Sequence, residues 1–393
     1  MKDENMSAPE IRFKGFTNDW TQRKFFDIAP LQRGFDLPKS EMIEGRYPVV
    51  MSNGILHHHN EYKAKAPGVV TGRSGTIGKL HYVECDYWPH NTALWVTDFM
   101  GNFPKFIFHL YNNVDLSRFG TGTGVPTLNR NDVHDEKTHI PCLEEQMQIS
   151  NFMDTLDNTI HSHQQKLNHL RKLKKGYLQL MFPQDGESVP RIRFEGFTGN
   201  WQSVRLGDIV AKLKSYSLSR DVETKDATGY RYIHYGDIHK QVADIITDDA
   251  QLPRINAGEY VSLKQGDLVL ADASEDYVGI AEPCVILHEP QERIIAGLHT
   301  IALRPINTDS LFLYHLFYTD GFRKFGGFVG TGLKVFGITF PNLSKYEMKL
   351  PSFAEQSFIG DFFKSIDCQS ASLSAKVKQL KQLKAAYLQK MFM

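Results

Sequence analysis

No run of apolar residues in this sequence approaches the length of a membrane span. The opening Met1-Lys2-Asp3-Glu4-Asn5-Met6 is too polar for the core of a signal peptide. The expectation is a cytoplasmic protein with no membrane partner. Cysteine is scarce: Cys85, Cys142, Cys284 and Cys368 stand far apart with no CxxC pair. That spacing excludes a disulfide framework and a zinc ribbon. Net charge is missing too, with 45 basic residues against 45 acidic. A chain that grips phosphates by itself usually shows a basic surface, so the balance argues against a lone phosphate clamp and is met only if partners supply much of it. Signatures of chemistry are also lacking. No Asn/Asp-Pro-Pro-Tyr/Phe motif is present to hold a flipped base. Gly120-Thr-Gly-Thr-Gly-Val125 has the wrong spacing for a phosphate loop, and no Gly-Lys-Ser/Thr follows it. Glu61-Tyr62-Lys63 lacks the Pro-Asp pair a nuclease would place before it. No catalytic residue, metal site or cofactor is expected in this chain.

What is present is a repeat. Pro9-Glu-Ile-Arg-Phe-Lys-Gly-Phe-Thr-Asn-Asp-Trp20 returns as Pro190-Arg-Ile-Arg-Phe-Glu-Gly-Phe-Thr-Gly-Asn-Trp201, identical at eight of twelve positions with an offset of 181. Pro141, Glu145-Gln146, Ile149, Phe152, Tyr177-Leu178-Gln179 and Met181-Phe182 return at an offset of 210. The intervening segments differ in length by 29 residues and share little sequence. Self-similarity of this kind organises a fold: one scaffold, duplicated, presents two unlike surfaces. The divisions are 1–20, 21–140, 141–189, 190–201, 202–350 and 351–393.

The second repeat predicts a long helix. Apolar residues alternate by four and three at Ile149, Met153, Leu156, Ile160, Leu167, Leu170 and Tyr177, and again at Ile359, Phe363, Ile366, Leu373, Val377, Leu380 and Tyr387. Sustained 4–3 spacing marks a coiled-coil seam. His163 on the seam reads as a register-setting polar residue, and Lys174 and Lys384 as lysines that carry their charge outward over it. The private segments read as compact α+β heads. Short β-rich runs such as Tyr47-Pro-Val-Val-Met51, Gly68-Val-Val-Thr71 and Asp267-Leu-Val-Leu270 are punctuated by turn residues, and Phe103–Leu116 and Ser310–Phe322 read as short aromatic helices.

The doubled Gly-Phe-x-x-x-Trp opening, with Val204-Arg-Leu-Gly-Asp-Ile209 after the second copy, resembles the start of each half of a type I restriction–modification specificity subunit. So does Pro-x-x-x-Glu-Gln leading a long helix that ends in Tyr-Leu-Gln-x-Met-Phe. The resemblance runs over essentially the whole chain. It implies an α+β fold in which two target-recognition domains are joined by two long helices forming an antiparallel coiled coil with a pseudo-twofold internal repeat. It implies double-stranded DNA as partner, each domain reading one half of a split, asymmetric site. Two methyltransferase subunits would dock on the repeated frame, with two restriction/translocase subunits in the full complex. S-adenosylmethionine, ATP and magnesium would belong to those partners. The local dyad of DNA agrees with a protein pseudo-dyad. A helix of about 38 residues is roughly 57 Å long, which would set an unread spacer. The alternative is a coiled-coil scaffold that binds protein and never DNA.

Candidate contacts follow from chemistry. In Gly72-Arg-Ser-Gly-Thr-Ile-Gly-Lys79, Arg73 can pair with a guanine edge, while Ser74, Thr76 and Lys79 can reach phosphates. The corresponding stretch of the second half, 271–279, has no arginine; there Asp272 or Asp276 would accept from cytosine, with Ser274 and Tyr277 beside them. The matched Gly-Thr-Gly loops offer Thr121 and Thr123 in one half and Thr331 and Lys334 in the other. Asn129 and Arg130 follow as phosphate partners. His234, Tyr235 and Asp237 are expected at the second DNA face. His57-His58-His59 invites a metal, but neighbouring side chains on a strand alternate and do not converge on one ion.

Overall fold

The computed structural model describes residues 8–122, 126–276, 279–332 and 336–392. It divides into two compact units: Met1–Gln165 with Ser374–Met393, and Lys166–Leu373. Two helices supply residues to both, Leu143–Leu180 and Phe353–Met391. Among the described residues no helix is long and apolar enough to cross a membrane.

In the first unit the head closes on itself. Strand Thr21–Lys24 pairs antiparallel with Lys137–Ile140, Thr21 opposite Ile140, so both ends of the segment leave side by side. Between them lies a four-stranded sheet in the order Leu31–Arg33, Ala93–Val96, Gly68–Gly72, Leu80–Val83. The central strand Gly68–Gly72 is buried along its whole length, and its Val-Val-Thr run reads apolar on both faces as a two-sided core strand should. Helix Pro104–Asn112 starts on its proline, where no N–H is needed, and lays Phe106, Ile107, Leu110 and Tyr111 into the core. There they meet Trp20, Ile149, Met153, Met391 and Phe392.

The second unit repeats this plan. Gln202–Arg205 pairs with Glu347–Leu350, Gln202 opposite Leu350. The sheet runs Val210–Lys212, Thr300–Pro305, Leu268–Ala271, Pro283–Ile286, with Ile245–Ile246 added at the far edge. A further four-stranded sheet, built from Glu223–Thr224, Arg254–Ile255, Tyr230–Ile233 and Arg293–Ala296, accounts for much of the extra length. The aromatic stretch expected as one helix over Ser310–Phe322 is two, Ser310–Leu316 and Asp320–Val329. The Thr319 hydroxyl accepts from Phe322 N–H and starts the second. A Thr before an Asp is a capping signal that an apolar-run reading passes over.

The frame segments anchor to the long helices in matching ways. In the first unit Arg12 makes a two-pronged pair with the fully buried Glu145 (2.7 and 2.8 Å), and Ile11 N–H donates to Lys390 C=O at 3.0 Å. In the second, Arg193 pairs with Glu355 (2.6 and 2.8 Å) and Ile192 N–H donates to Leu180 C=O at 2.9 Å. The helices meet antiparallel within each unit. The ring centroids of Phe152 and Tyr387 lie 4.9 Å apart in one, and those of Tyr177 and Phe362 lie 5.1 Å apart in the other. Along the seam Ile149, Met153, Leu156, Leu167, Ile359, Phe363, Ile366, Val377 and Leu380 are buried. Ile160, Leu170, Leu373, Tyr177 and Tyr387 are half-buried. Lys174 and Lys384 do not carry free charge into solvent as expected: Lys174 pairs with Asp367 at 2.5 Å and Lys384 with Asp157 at 2.6 Å. Neither aspartate sits at a seam position, so the 4–3 spacing gave no sign of the pairing.

His315 is wholly buried against Phe363, ring centroids 5.0 Å apart, and burial holds its pKa well below the ordinary histidine range. An unfolded chain protonates this histidine near pH 6.5 while the folded one does not. Its contribution to stability is therefore full above that pH and lost as pH falls below it, by up to about 1.4 kcal/mol per pH unit. Denaturant titrations at pH 7.5 and 5.5 should show a smaller loss on acidification for His315→Leu than for the wild type. Equal losses would mean the ring is protonated in the folded protein.

Candidate nucleic-acid interface

Each head carries a loop held between its central strand and the strand beside it. In the first, Gly72 N–H donates to Lys79 C=O (3.0 Å) and Gly78 N–H to Gly72 C=O (3.1 Å). A Cβ on Gly72 would lie 1.8 Å from the Thr76 carbonyl oxygen, so only glycine fits this turn. Arg73 is clamped by its backbone alone: its N–H donates to Thr92 C=O (2.9 Å) and its C=O accepts from Leu128 N–H (2.7 Å). Its guanidinium, half-exposed, has no hydrogen-bond or ion-pair partner among the described residues.

The second head holds Asp272 in the same station. Its N–H donates to His299 C=O (3.0 Å) and its C=O accepts from Ile338 N–H (2.8 Å). Leu128 and Ile338 are related by the offset of 210. Thr92 and His299 each stand directly before the matched strand, Ala93–Val96 or Thr300–Pro305. The backbone pattern is therefore shared while the side chains differ, cation against anion and hydroxyl against imidazole. Lys79 is matched by Glu282, whose carbonyl accepts from Ala271 N–H.

The other expected contacts separate into two groups. Thr76, Thr121, Arg130 and Thr331 are exposed on or beside these loops. Lys79 is exposed as well, although its ammonium donates to Asn53 C=O at 2.7 Å. Ser74 is half-buried and bridged to Thr127. Thr123, Tyr277 and Lys334 lie outside the described residues.

Several expected contacts also hold their own loops and helix starts. Asn129 caps helix Arg130–Asp135, accepting from Asn131 N–H at 3.1 Å. Asp237 is buried; it accepts from His234 N–H at 3.1 Å and from Arg220 at 2.7 Å. His234 is buried too and spends Nδ1 on Gly236 N–H, and burial, reinforced by Arg220, lowers its pKa. Ser274 is buried and its hydroxyl accepts from Asp276 N–H, while Asp276 accepts from Gly279 N–H at 2.7 Å. These polar groups hydrogen-bond within their own loops, and His234, Ser274 and Asp276 also line the cleft beside Tyr235. Tyr235 remains at the surface of the site, lining a cleft of about 770 Å³ with Arg220, His239, Lys240, Tyr318 and Arg323.

One residue was missed. His299 has a φ of 54°, a left-handed conformation that costs a non-glycine residue energy and that tends to persist where function requires it. Its half-exposed ring lies 3.2 Å from the Asp272 carboxylate and 5.3 Å from the Tyr235 ring. Burial pushes the Asp272 carboxyl up, and His299 opposes the shift. The signal that could have found it is positional, because Thr92 and His299 both immediately precede the matched strand.

The triple histidine does not converge: His59 is buried with Nδ1 against the Ile43 backbone, while His57 and His58 are exposed. His109, Asp154 and Asp157 do come within ligating reach of one another. However, Lys105 stands 3.7 Å from Asp154 and Lys384 stands 2.6 Å from Asp157, so both carboxylates already have cations.

The family model described as "Type I restriction modification DNA specificity domain" matches residues 17–172 and 198–382. The type I restriction enzyme MjaVIII specificity subunit of Methanocaldococcus jannaschii is 25% identical over 255 residues, 63% of this chain. The match spans 59% of the length of that curated relative. A crystal structure of the S subunit of a type I restriction–modification system from M. genitalium superposes with a TM-score of 0.67 at 14% identity, covering 98% of this chain and 99% of that one. A structure described for complex assembly and conformational transition of the type I R-M system gives 0.53 at 17% identity, covering 95% and 97%. At these identities the structural likeness establishes the fold.

Proposed function

Because the chain belongs to the type I restriction–modification DNA specificity family, we propose that it reads DNA for a complex whose chemistry lies in other subunits. Each head reads one block of a split, asymmetric site, and the long helices fix the unread spacer between the blocks. Two methyltransferase subunits dock on the frame and two restriction/translocase subunits complete the assembly in the cytoplasm. S-adenosylmethionine, ATP and magnesium act in those subunits, and this chain is non-catalytic.

The observation that carries the reading is the shared station of Arg73 and Asp272, held by equivalent backbone hydrogen bonds in two heads of otherwise unlike sequence. A duplicated frame that varies the side chain at one station is what two different half-sites require. An arginine there suits a guanine edge, and an aspartate suits the amino group of cytosine. The strand pairs Thr21↔Ile140 and Gln202↔Leu350 bring the ends of each head together, which makes the heads exchangeable. Replacing 21–140 with the matching segment of a relative of different specificity should change one block of the methylated motif and leave the other block and the spacer as they were. A change in both blocks, or in neither, contradicts the assignment.

A further inference from the structure

We propose that the C-terminal halves of both long helices bind the phosphate backbone of the DNA between the two recognised blocks, an inference that rests on the DNA-reading function above. The chain as a whole is neutral, but its charge is not evenly spread. From 158 to 184 there are five basic residues and no acidic one, and from 368 to 392 again five and none. The rest of the sequence therefore carries ten more acidic residues than basic ones.

Most of these cations are not used inside the fold. In the first stretch Lys174 is taken by Asp367. Lys166, Arg171, Lys172 and Lys175 are exposed and have no partner among the described residues. In the second stretch Lys384 and Lys390 are paired with Asp157 and Glu10, while Lys376, Lys378 and Lys381 are exposed and, among the described residues, unpartnered. The helix dipole does not account for them, because its effect is confined to the last turn. Lys175 lies five residues before the end of its helix, and Lys381 ten before the end of the other. Arg171 and Lys175 are neighbours at i,i+4 and repel one another, a cost that a polyanion alongside would relieve.

Arg171, Lys172 and Lys175 on one helix and Lys378 and Lys381 on the other form matching faces that point to phosphate rather than to protein, while Lys166 and Lys376 lie on the side of the exposed leucines. At 3.6 residues per turn, Asn168, Arg171 and Lys175 share one side of the helix with Lys172 at its margin. Lys378 and Lys381 stand at the matched positions of the second helix. The exposed leucines of these stretches, Leu173 and Leu383, lie on nearly the opposite side. A protein partner would need an apolar or aromatic anchor on this face, and it has none. Arginine, lysine and asparagine are residues that bind phosphate oxygens without reading sequence, as an unread spacer demands.

The test uses the chain co-expressed with its methyltransferase partner, as R171Q/K172Q/K175Q and as K378Q/K381Q. Affinity for a duplex bearing the mapped motif is measured across a salt series, with the methylated motif mapped in parallel. Each variant should keep the motif and bind every sequence more weakly. The slope of log affinity against log salt should become shallower by about 0.9 for each phosphate no longer neutralised. An unchanged slope overturns the proposal. So does a variant that sheds its methyltransferase, because the face would then dock protein. A wild-type complex that methylates no split motif would instead sink the DNA-reading function, and the proposal with it.

Discussion

Arg12→Met should destabilise the first unit by about 3–5 kcal/mol, the effect of leaving a buried carboxylate without its cation. Glu145 has no solvent exposure and Arg12 engages both of its oxygens. Arg193→Met should do the same to the second unit through Glu355, which is 1% exposed. The pairs matter beyond their own energy, because each pins a frame segment to the start of a long helix. Trp20, Trp88 and Trp95 lie in the first unit and Trp201 in the second. Denaturation followed by tryptophan fluorescence in a Trp201→Phe background therefore reports the first unit. Arg12→Met should lower its midpoint, and the double change Arg12→Met/Glu145→Leu should recover much of the loss by removing the orphaned charge. A loss below about 1 kcal/mol, the value of an exposed pair, would mean that water reaches this carboxylate.

The second large effect is on recognition. Arg73→Ala should cost about 1–3 kcal/mol of discrimination at one position of the first block, up to roughly a hundredfold in selectivity, and leave the second block untouched. Arg73→Lys keeps the charge but not the planar fork, so it should restore affinity better than selectivity. Asp272→Ala and His299→Ala should give the complementary result, altering the second block alone. The readout is the set of sequences methylated by each variant complex. Weakening spread evenly over all sequences would make Arg73 a phosphate-binding residue instead.

The scaffold was legible because it is written twice. Pairs such as Arg12 and Arg193, or Trp20 and Trp201, stand out by identity between the halves, and the 4–3 spacing shows the helices without any structure. The site was legible only as far as its loops. Asp237, Asn129, Ser274 and Asp276 are residue types equally suited to holding a turn and to meeting a base. Which they do depends on backbone N–H groups whose positions come from the fold. His299 was hidden for a related reason: its partner Asp272 is 27 residues away in sequence, and its strained backbone leaves no mark on composition. Asp157 and Asp367 escaped notice because they flank the seam. The neutral net charge misled most of all, since a sum over the chain conceals two acid-free helical stretches.

Reading DNA in two unlike halves is the proposed function from which the other expectations follow. Mapping methylated adenines by long-read sequencing, with the chain co-expressed beside its methyltransferase partner, tests it most directly. The expected result is a split, non-palindromic motif of fixed spacer that vanishes when this chain is omitted. An intact complex that methylates no defined motif, or a motif that persists without this chain, would contradict it.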